Sequence, residues 1–261
     1  MRVLSWNCRG LGNPFAVLQC QKKAKEYSPN ILFLMETKLD IGKGLDVLRK
    51  CDFLNGWEVP REGLSRGLLL GWSLEQKLTI QYSSRHMIHS EILDHKGTPL
   101  SITFIYGQLD HTKREEVWIE LKHLRHIART NWLCIGDFNQ ILSHDDKFAF
   151  DSKKIIGSDL FQQILSELEL CELEAKGKKY TWMNWRENES FVMEKLDRGF
   201  AIVDWINSFP QYTLHNHPII RFDHGAILLN LENKHPFRRS PFKFEKMWVN
   251  HNECQHVVQN A

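Results

Sequence analysis

Apolar residues in this chain cluster in short runs, each closed by a turn-forming or charged residue. The pattern predicts strands over Arg2–Asn7, Ile31–Glu36, Gly67–Trp72, Leu78–Tyr82, Met87–Leu93, Leu100–Tyr106, Trp132–Asp137, Tyr180–Trp182 and Ala226–Leu231. Helical spacing separates several of them. Asn13 followed by Pro14 reads as an N-cap with proline at the first helical position, opening a helix toward Tyr27. Thr112-Lys113-Arg114-Glu115 fits a capping box, and Val117, Trp118, Leu121, Leu124, Ile127 and Ala128 line one face of the helix that follows. Ser158 is the expected cap of a third helix, with Phe161, Ile164, Leu165 and Leu168 turned inward. Four strands crowd residues 67–106 with no helix between them, so that stretch should pair largely antiparallel. A mixed sheet, or two packed sheets with helices outside, satisfies the pattern.

Composition narrows the class without naming a function. With 42% hydrophobic and 25% charged residues the chain is globular, not disordered, collagenous or coiled-coil. Its longest apolar run, Ile31 to Met35, is far short of the ~18 residues a membrane span needs. Trp6-Asn7-Cys8-Arg9 interrupts the N-terminus where a secretory signal would be apolar, so the expected location is intracellular, nuclear or cytoplasmic. Six cysteines are scattered with no C-x-x-C pair, which argues against structural zinc and fits a reducing compartment. A net charge of +2 says little about partners. Local clustering says more. Lys234 to Lys246 holds five basic residues and one acid among aromatics, either a nucleic-acid grip or a solvated tail. The expected division is a domain over residues 1–233 and a basic-aromatic extension over 234–261.

Four of the predicted strands end in a polar side chain: Asn7, Glu36, Tyr106 and Asp137, the last followed closely by Asn139. If these strands run the same way, their ends meet on one rim, where α/β proteins build sites. Such a rim offers carboxylates, amides and a phenol, a hard-oxygen set suited to Mg²⁺ or Mn²⁺ and a phosphate ester. Taken singly, each of these residues is an ordinary turn former. Two later features strengthen the set: Asp197 within Lys195-Leu196-Asp197-Arg198, and Asp223-His224 just before a strand. A histidine held by a carboxylate is fixed in tautomer and can face a phosphate.

These motifs are Leu4-Ser5-Trp6-Asn7-Cys8-Arg9-Gly10-Leu11-Gly12, Phe33-Leu34-Met35-Glu36-Thr37-Lys38, Gly136-Asp137-Phe138-Asn139, Tyr180-Thr181-Trp182, Lys195-Leu196-Asp197-Arg198 and Phe222-Asp223-His224. In this order the set resembles the endonuclease/exonuclease/phosphatase superfamily, and more specifically the endonuclease domain of plant non-LTR (LINE-type) retrotransposons. The resemblance implies a four-layer α/β (α+β type) sandwich of two mixed, largely antiparallel sheets flanked by helices. It implies a monomeric, Mg²⁺-dependent (Mn²⁺ possible) DNA endonuclease that nicks one strand of a duplex, gripping the phosphate backbone and leaving a 3′-hydroxyl. Other implied activities are a phosphomonoesterase, an RNA 3′-exonuclease, or an impaired remnant that only binds nucleic acid.

Residue by residue, the resemblance makes Glu36 the main metal ligand, with Asn7 beside it and Asp223 near the ion. Asp137, helped by Asn139, would activate the attacking water. Tyr106 would donate to a phosphate oxygen. His224, oriented by Asp197, would stabilise the scissile phosphate, while Arg9 and Thr181 would touch the substrate. Two positions depart from the family. Arg9 stands where abasic-site enzymes carry a second acid, which implies a single-metal site and argues against abasic specificity. Phe222 stands where retroelement enzymes show serine. It either crowds the DNA groove, so that serine would speed nicking, or packs inward and anchors its loop. Among other polar clusters, His123 and His126 are flanked by Lys122 and Arg125 and read as a solvated face. His215 and His217 lack an acid or cysteine partner, and Asp145-Asp146 reads as an exposed loop.

Overall fold

Alternate residues of the central strands point to two different hydrophobic layers, and this organises the molecule. In Ile31–Met35, Ile31, Phe33 and Met35 enter the main core, whereas Leu32 and Leu34 enter a second cluster with Ala16, Cys20, Ala24, Val47 and Leu48. A strand covered on both faces reads as a continuous apolar run, which is why this one was visible in sequence. The computed structural model describes residues 1–63, 67–93, 97–150 and 155–232. The expected extension over 234–261 lies outside the described residues.

A seven-stranded sheet runs in the order Ala175–Gly177, Thr213–Asn216, Ile227–Asn230, Arg2–Asn7, Ile31–Met35, Leu68–Trp72, Asn55–Val59. A six-stranded sheet runs Cys171–Glu172, Asp197–Ala201, Trp132–Asp137, Pro99–Tyr106, Met87–Leu93, Leu78–Ser83. Both are mixed and largely antiparallel, with helices around them, as expected. A small third sheet joins Trp182–Met183, Val192–Glu194 and Lys147–Ala149. In each large sheet a central parallel pair is joined through a helix: Arg2–Asn7 with Ile31–Met35 through Pro14–Tyr27, and Pro99–Tyr106 with Trp132–Asp137 through Arg114–Leu124. The carboxyl ends of all four strands therefore converge on one rim.

Local expectations fared unevenly. Asn13 caps its helix as read, its side chain accepting from the Ala16 N–H at 2.8 Å. The Thr112 capping box does not form. A 3₁₀ turn at His111–Lys113 intervenes, and Asp110 caps that turn by accepting from the Thr112 N–H. Ser158 is the first helical residue rather than the cap, behind Gly157 in a left-handed conformation. Ile127 lies beyond the end of its helix and is exposed. The strand expected at Gly67–Trp72 forms over Leu68–Trp72 and pairs antiparallel, but in the other sheet from the three strands that follow it. Helix Lys43–Lys50 and strands Asn55–Val59, Asp197–Ala201 and Thr213–Asn216 were not predicted. Asn55-Gly56 reads as a turn pair, yet glycine is there because a Cβ would meet Leu48 Cδ1 at 2.3 Å. Asp146 is not a free loop residue. Its carboxylate pairs at 2.6 Å with Arg198, whose side chain is fully buried and also pairs with Glu172. No helix among the described residues is long and apolar enough to cross a membrane.

Candidate active site

Asn7 ends the strand Arg2–Asn7, and its amide nitrogen is the point where the two large sheets meet. It donates to Glu36 Oε1 at 3.0 Å and to Asp137 Oδ2 at 2.9 Å, and stands 3.4 Å from His224 Nε2. Its Oδ1 accepts the Arg9 N–H at 3.1 Å. With its nitrogen facing two carboxylates and its oxygen accepting one N–H, Asn7 bridges and aligns Glu36 and Asp137.

Glu36 lies one residue beyond its strand, which stops at Met35, and turns out of it with φ of 52°. Arg9, Lys38 and Asn139 are also left-handed. Non-glycine residues in this region each cost about 1–3 kcal/mol, and such strain gathers at functional rims. Tyr106, ending its own strand, donates its hydroxyl to Glu36 Oε1 at 3.0 Å rather than pointing to open solvent. Glu36 Oε2 faces Lys38 Nζ at 3.6 Å.

Asp137 ends Trp132–Asp137 and is directly opposite Tyr106 on one side and Asp197 on the other. Gly136 lets these strands close up, since a Cβ there would sit 2.0 Å from the Ile105 carbonyl oxygen. The Asn139 N–H donates to Asp137 Oδ1 at 2.9 Å, while its side-chain amide donates to the Gly107 carbonyl at 3.0 Å. Asn139 thus supports Asp137 through its backbone.

His224 sits between two carboxylates, with Nδ1 2.9 Å from Asp197 Oδ2 and Nε2 3.7 Å from Asp137 Oδ2. Burial alone would push its pKa down, but Asp197 and Asp137 outweigh that and hold it up at about 9. Burial raises Asp137 to about 7, against the lowering pull of His224. The rim therefore holds an imidazolium beside a carboxylate poised near neutrality, the arrangement expected of an acid–base pair.

Thr181, expected against DNA, is 1% exposed. Its hydroxyl accepts the N–H groups of Leu196 and Asp197 at 3.0 and 2.9 Å, which fixes the backbone carrying Asp197. Asp223 is paired with Arg9 and accepts from Trp182 Nε1 at 3.3 Å. Phe222 packs edge-on to Trp6 with ring centroids 4.8 Å apart. Sequence reading missed three contributors: Lys38 beside Glu36, Trp182 against Asp223, and the buried Arg198. Lys38 and Trp182 lie inside the quoted motifs and were visible as residues but not as partners. His123 and His126 are exposed and apart from the site.

Asp137, Asp197 and His224 bring potential ligand atoms within 4.8 Å of one another. With both ring nitrogens turned to carboxylates and the pKa raised, His224 has no lone pair for a metal near neutral pH. Glu36 fits a hard cation better, because its neighbours are oxygen and amide groups and its Oε2 faces a cation already.

Residues 4–222 match the model of the Endonuclease/Exonuclease/phosphatase family. No curated sequence matches the chain at a significant level. Among solved structures, the chain resembles the endonuclease domain of TRAS1, a telomere-specific non-LTR retrotransposon, with a TM-score of 0.67 and 15% identity over 90% of this chain and 99% of that one. A 3′–5′ exonuclease from Neisseria meningitidis gives 0.66 and 17%, covering 89% and 100%. An AP endonuclease from Archaeoglobus fulgidus gives 0.65 and 13%, covering 88% and 98%. At these identities the likeness is one of fold.

Proposed function

Because the chain belongs to the endonuclease/exonuclease/phosphatase family, and is a phosphoesterase by that membership, we propose that it is a Mg²⁺-dependent DNA endonuclease that nicks one strand of a duplex and leaves a 3′-hydroxyl. The observation that carries the reading is the cluster Asp197, His224, Asp137, Asn7 and Glu36 at the joint rim of the two sheets, with hydrogen bonds linking Asp197 to His224 and Asn7 to both Asp137 and Glu36, and His224 within 3.7 Å of Asp137. The likeness in fold to the endonuclease domain of a retrotransposon supports the endonuclease reading.

Glu36 holds the divalent ion, Mg²⁺ or Mn²⁺, which when bound supplies Lewis-acid stabilisation of phosphate charge. Tyr106 and Asn7 fix the Glu36 carboxylate from its inner side. Asp137, made more basic than an ordinary carboxylate by its burial, takes the proton of the water that attacks phosphorus, and the Asn139 N–H keeps its second oxygen in place. His224 presents its charged ring to the phosphate oxygens, held in orientation by Asp197, whose backbone is in turn pinned by Thr181. The leaving 3′-oxygen departs opposite the water, as in-line displacement requires, and takes a proton from solvent to become the 3′-hydroxyl.

The test is nicking of supercoiled plasmid with and without Mg²⁺, followed by polymerase extension of the nick to show a 3′-hydroxyl. Asp137→Asn and His224→Ala should each lower the rate by roughly 10²–10⁴-fold. Full activity in either variant removes the proposed site. Release of inorganic phosphate from 3′-phosphorylated ends without nicking would reassign the chain to a phosphomonoesterase.

A further inference from the structure

Two of the cysteines that are scattered in sequence meet in the second hydrophobic layer. Cys20 lies on the inner face of helix Pro14–Tyr27 with Ala16 and Ala24, and Cys51 follows directly on helix Lys43–Lys50 as its C-cap. Their Sγ atoms are 3.5 Å apart, and both residues are buried in the cluster that holds Val47 and Leu48. The backbone around them is pinned. Gln21 Nε2 donates to the Lys50 carbonyl at 2.8 Å, and the Cys51 N–H donates to the Leu48 and Val47 carbonyls at 2.9 and 3.2 Å. Among the described cysteines the others are placed differently: Cys8 Sγ donates to the Met35 carbonyl, Cys134 is buried beside Thr103, and Cys171 is exposed.

We propose that Cys20 and Cys51 form a redox clasp: hydrogen peroxide closes the dithiol to a disulfide that ties helix Pro14–Tyr27 to the end of helix Lys43–Lys50 and stabilises the segment between them. The sulfurs need only close from 3.5 Å to the ~2.05 Å of a bond. The loop so closed, residues 20–51, contains the strand Ile31–Met35 and the rim residues Glu36 and Lys38. A cross-link across it removes freedom from the unfolded chain. Contact with the Cys20 thiol lowers the pKa of Cys51, while the same contact and burial raise that of Cys20, so Cys51 ionises first. The Cys51 thiolate attacks one peroxide oxygen, the O–O bond breaks, and the leaving hydroxide takes a proton to become water. Cys20, losing its proton, then attacks the Cys51 sulfenic sulfur and expels the remaining oxygen as a second water. Two thiols lose two electrons, and the peroxide gains them. A groove of about 900 Å³ between the two helices is lined by Val17, Gln21, Val47 and Lys50. Gln21 and Lys50 are the chain neighbours of the two cysteines, so the groove brings a small oxidant beside the pair.

The experiment treats the full chain with hydrogen peroxide, alkylates the remaining thiols under denaturing conditions, and maps the digest by mass spectrometry, with thermal melting of the same sample. A peptide pair joined through Cys20 and Cys51, two hydrogens lighter than its reduced parts, should appear. The thermal midpoint should rise by about 5–10 °C and return to its starting value with dithiothreitol. Cys51→Ala should show neither effect, and Cys171→Ser should keep both. If Cys51→Ala does not fold, wild type decides alone, because its reduced and oxidised forms are compared on one chain. Oxidation confined to Cys171 with Cys20 and Cys51 both alkylated, a link from either to a different cysteine, or the expected link with no rise in midpoint overturns the inference.

Discussion

Replacing Phe222 by serine asks whether the residue before Asp223-His224 serves the substrate or the fold. The ring is half-buried. It meets Trp6 edge-on at 4.8 Å and 87°, stacks toward Phe15 at 6.4 Å, and packs against the cluster containing Leu4, Cys8 and Ala226. Fully burying a phenylalanine is worth up to about 3 kcal/mol, so half-burial contributes about 1.5. The unfilled space left by serine adds about 1 kcal/mol, and the lost edge-to-face pair about another. A loss of about 3 kcal/mol should lower the thermal midpoint of a domain this size by roughly 6–12 °C.

The same contact reaches the site. Trp6 precedes Asn7, and its indole N–H donates to the His224 carbonyl at 3.3 Å. When Phe222 no longer braces Trp6, both the bridge and the imidazole lose a support. Nicking should then fall by ~10-fold or more, since sub-ångström misplacement is costly in oriented catalysis. Thermal melting and plasmid nicking on one preparation decide the matter. An unchanged midpoint, or faster nicking, would refute the packing argument and restore the view that a hydroxyl here serves phosphate.

Two further outcomes follow from buried charge. His89 is fully buried. Its Nδ1 lies 2.8 Å from Thr103 Oγ1, which accepts from Trp132 Nε1 at 2.8 Å. Burial lowers its pKa to about 4 despite Glu91. The unfolded chain takes up a proton near the ordinary value of about 6.5 while the folded chain refuses it, so stability is intact above that pH and falls by up to about 3 kcal/mol as pH drops toward 4. Urea unfolding across this window should show the loss, and His89→Asn should flatten it; an equal slope in the variant refutes the assignment. Arg198→Met takes the cation from Asp146, while Glu172 keeps Lys195 at 2.6 Å, and should cost about 3 kcal/mol, against a smaller loss for Asp146→Asn; equal melting of Arg198→Met and wild type would show that the buried Arg198–Asp146 pair contributes nothing net.

How far the site was legible depended on which physical signal each residue leaves. Asn7, Glu36, Tyr106 and Asp137 each close an apolar run, because a strand buried on both faces must stop being apolar where it reaches the rim. That signal survives in one dimension. Whether two such ends touch does not. The contact between Asn7 and Asp137 joins residues on different sheets, and nothing in either local pattern encodes it. Asp197 was harder. Its strand, Asp197–Ala201, begins with two charged residues that are wholly buried, Asp197 at the site and Arg198 on the brace. Charge in sequence reads as solvent, and only pairing partners reveal otherwise. The capping error near Thr112 has the same origin: two rival caps lay two residues apart, and the earlier one, Asp110, won.

Partner choice also decides what a residue type means chemically. The same sequence reading that counted Asn7 and Asp223 as ligands counted atoms without asking which were already engaged. In the folded chain the Asn7 oxygen is engaged by the Arg9 N–H and one Asp223 oxygen by the Arg9 guanidinium. A single arginine, fixed by its own backbone, thus contacts both residues. It leaves Glu36 as the carboxylate whose outer oxygen meets only a lysine, at 3.6 Å. A salt contact that long and that exposed contributes at most about 1 kcal/mol, so a divalent ion can displace Lys38 at little cost. Displacing Arg9 would instead strand a buried carboxylate. The difference between those two costs, rather than the number of acids at the rim, sets where an ion can bind.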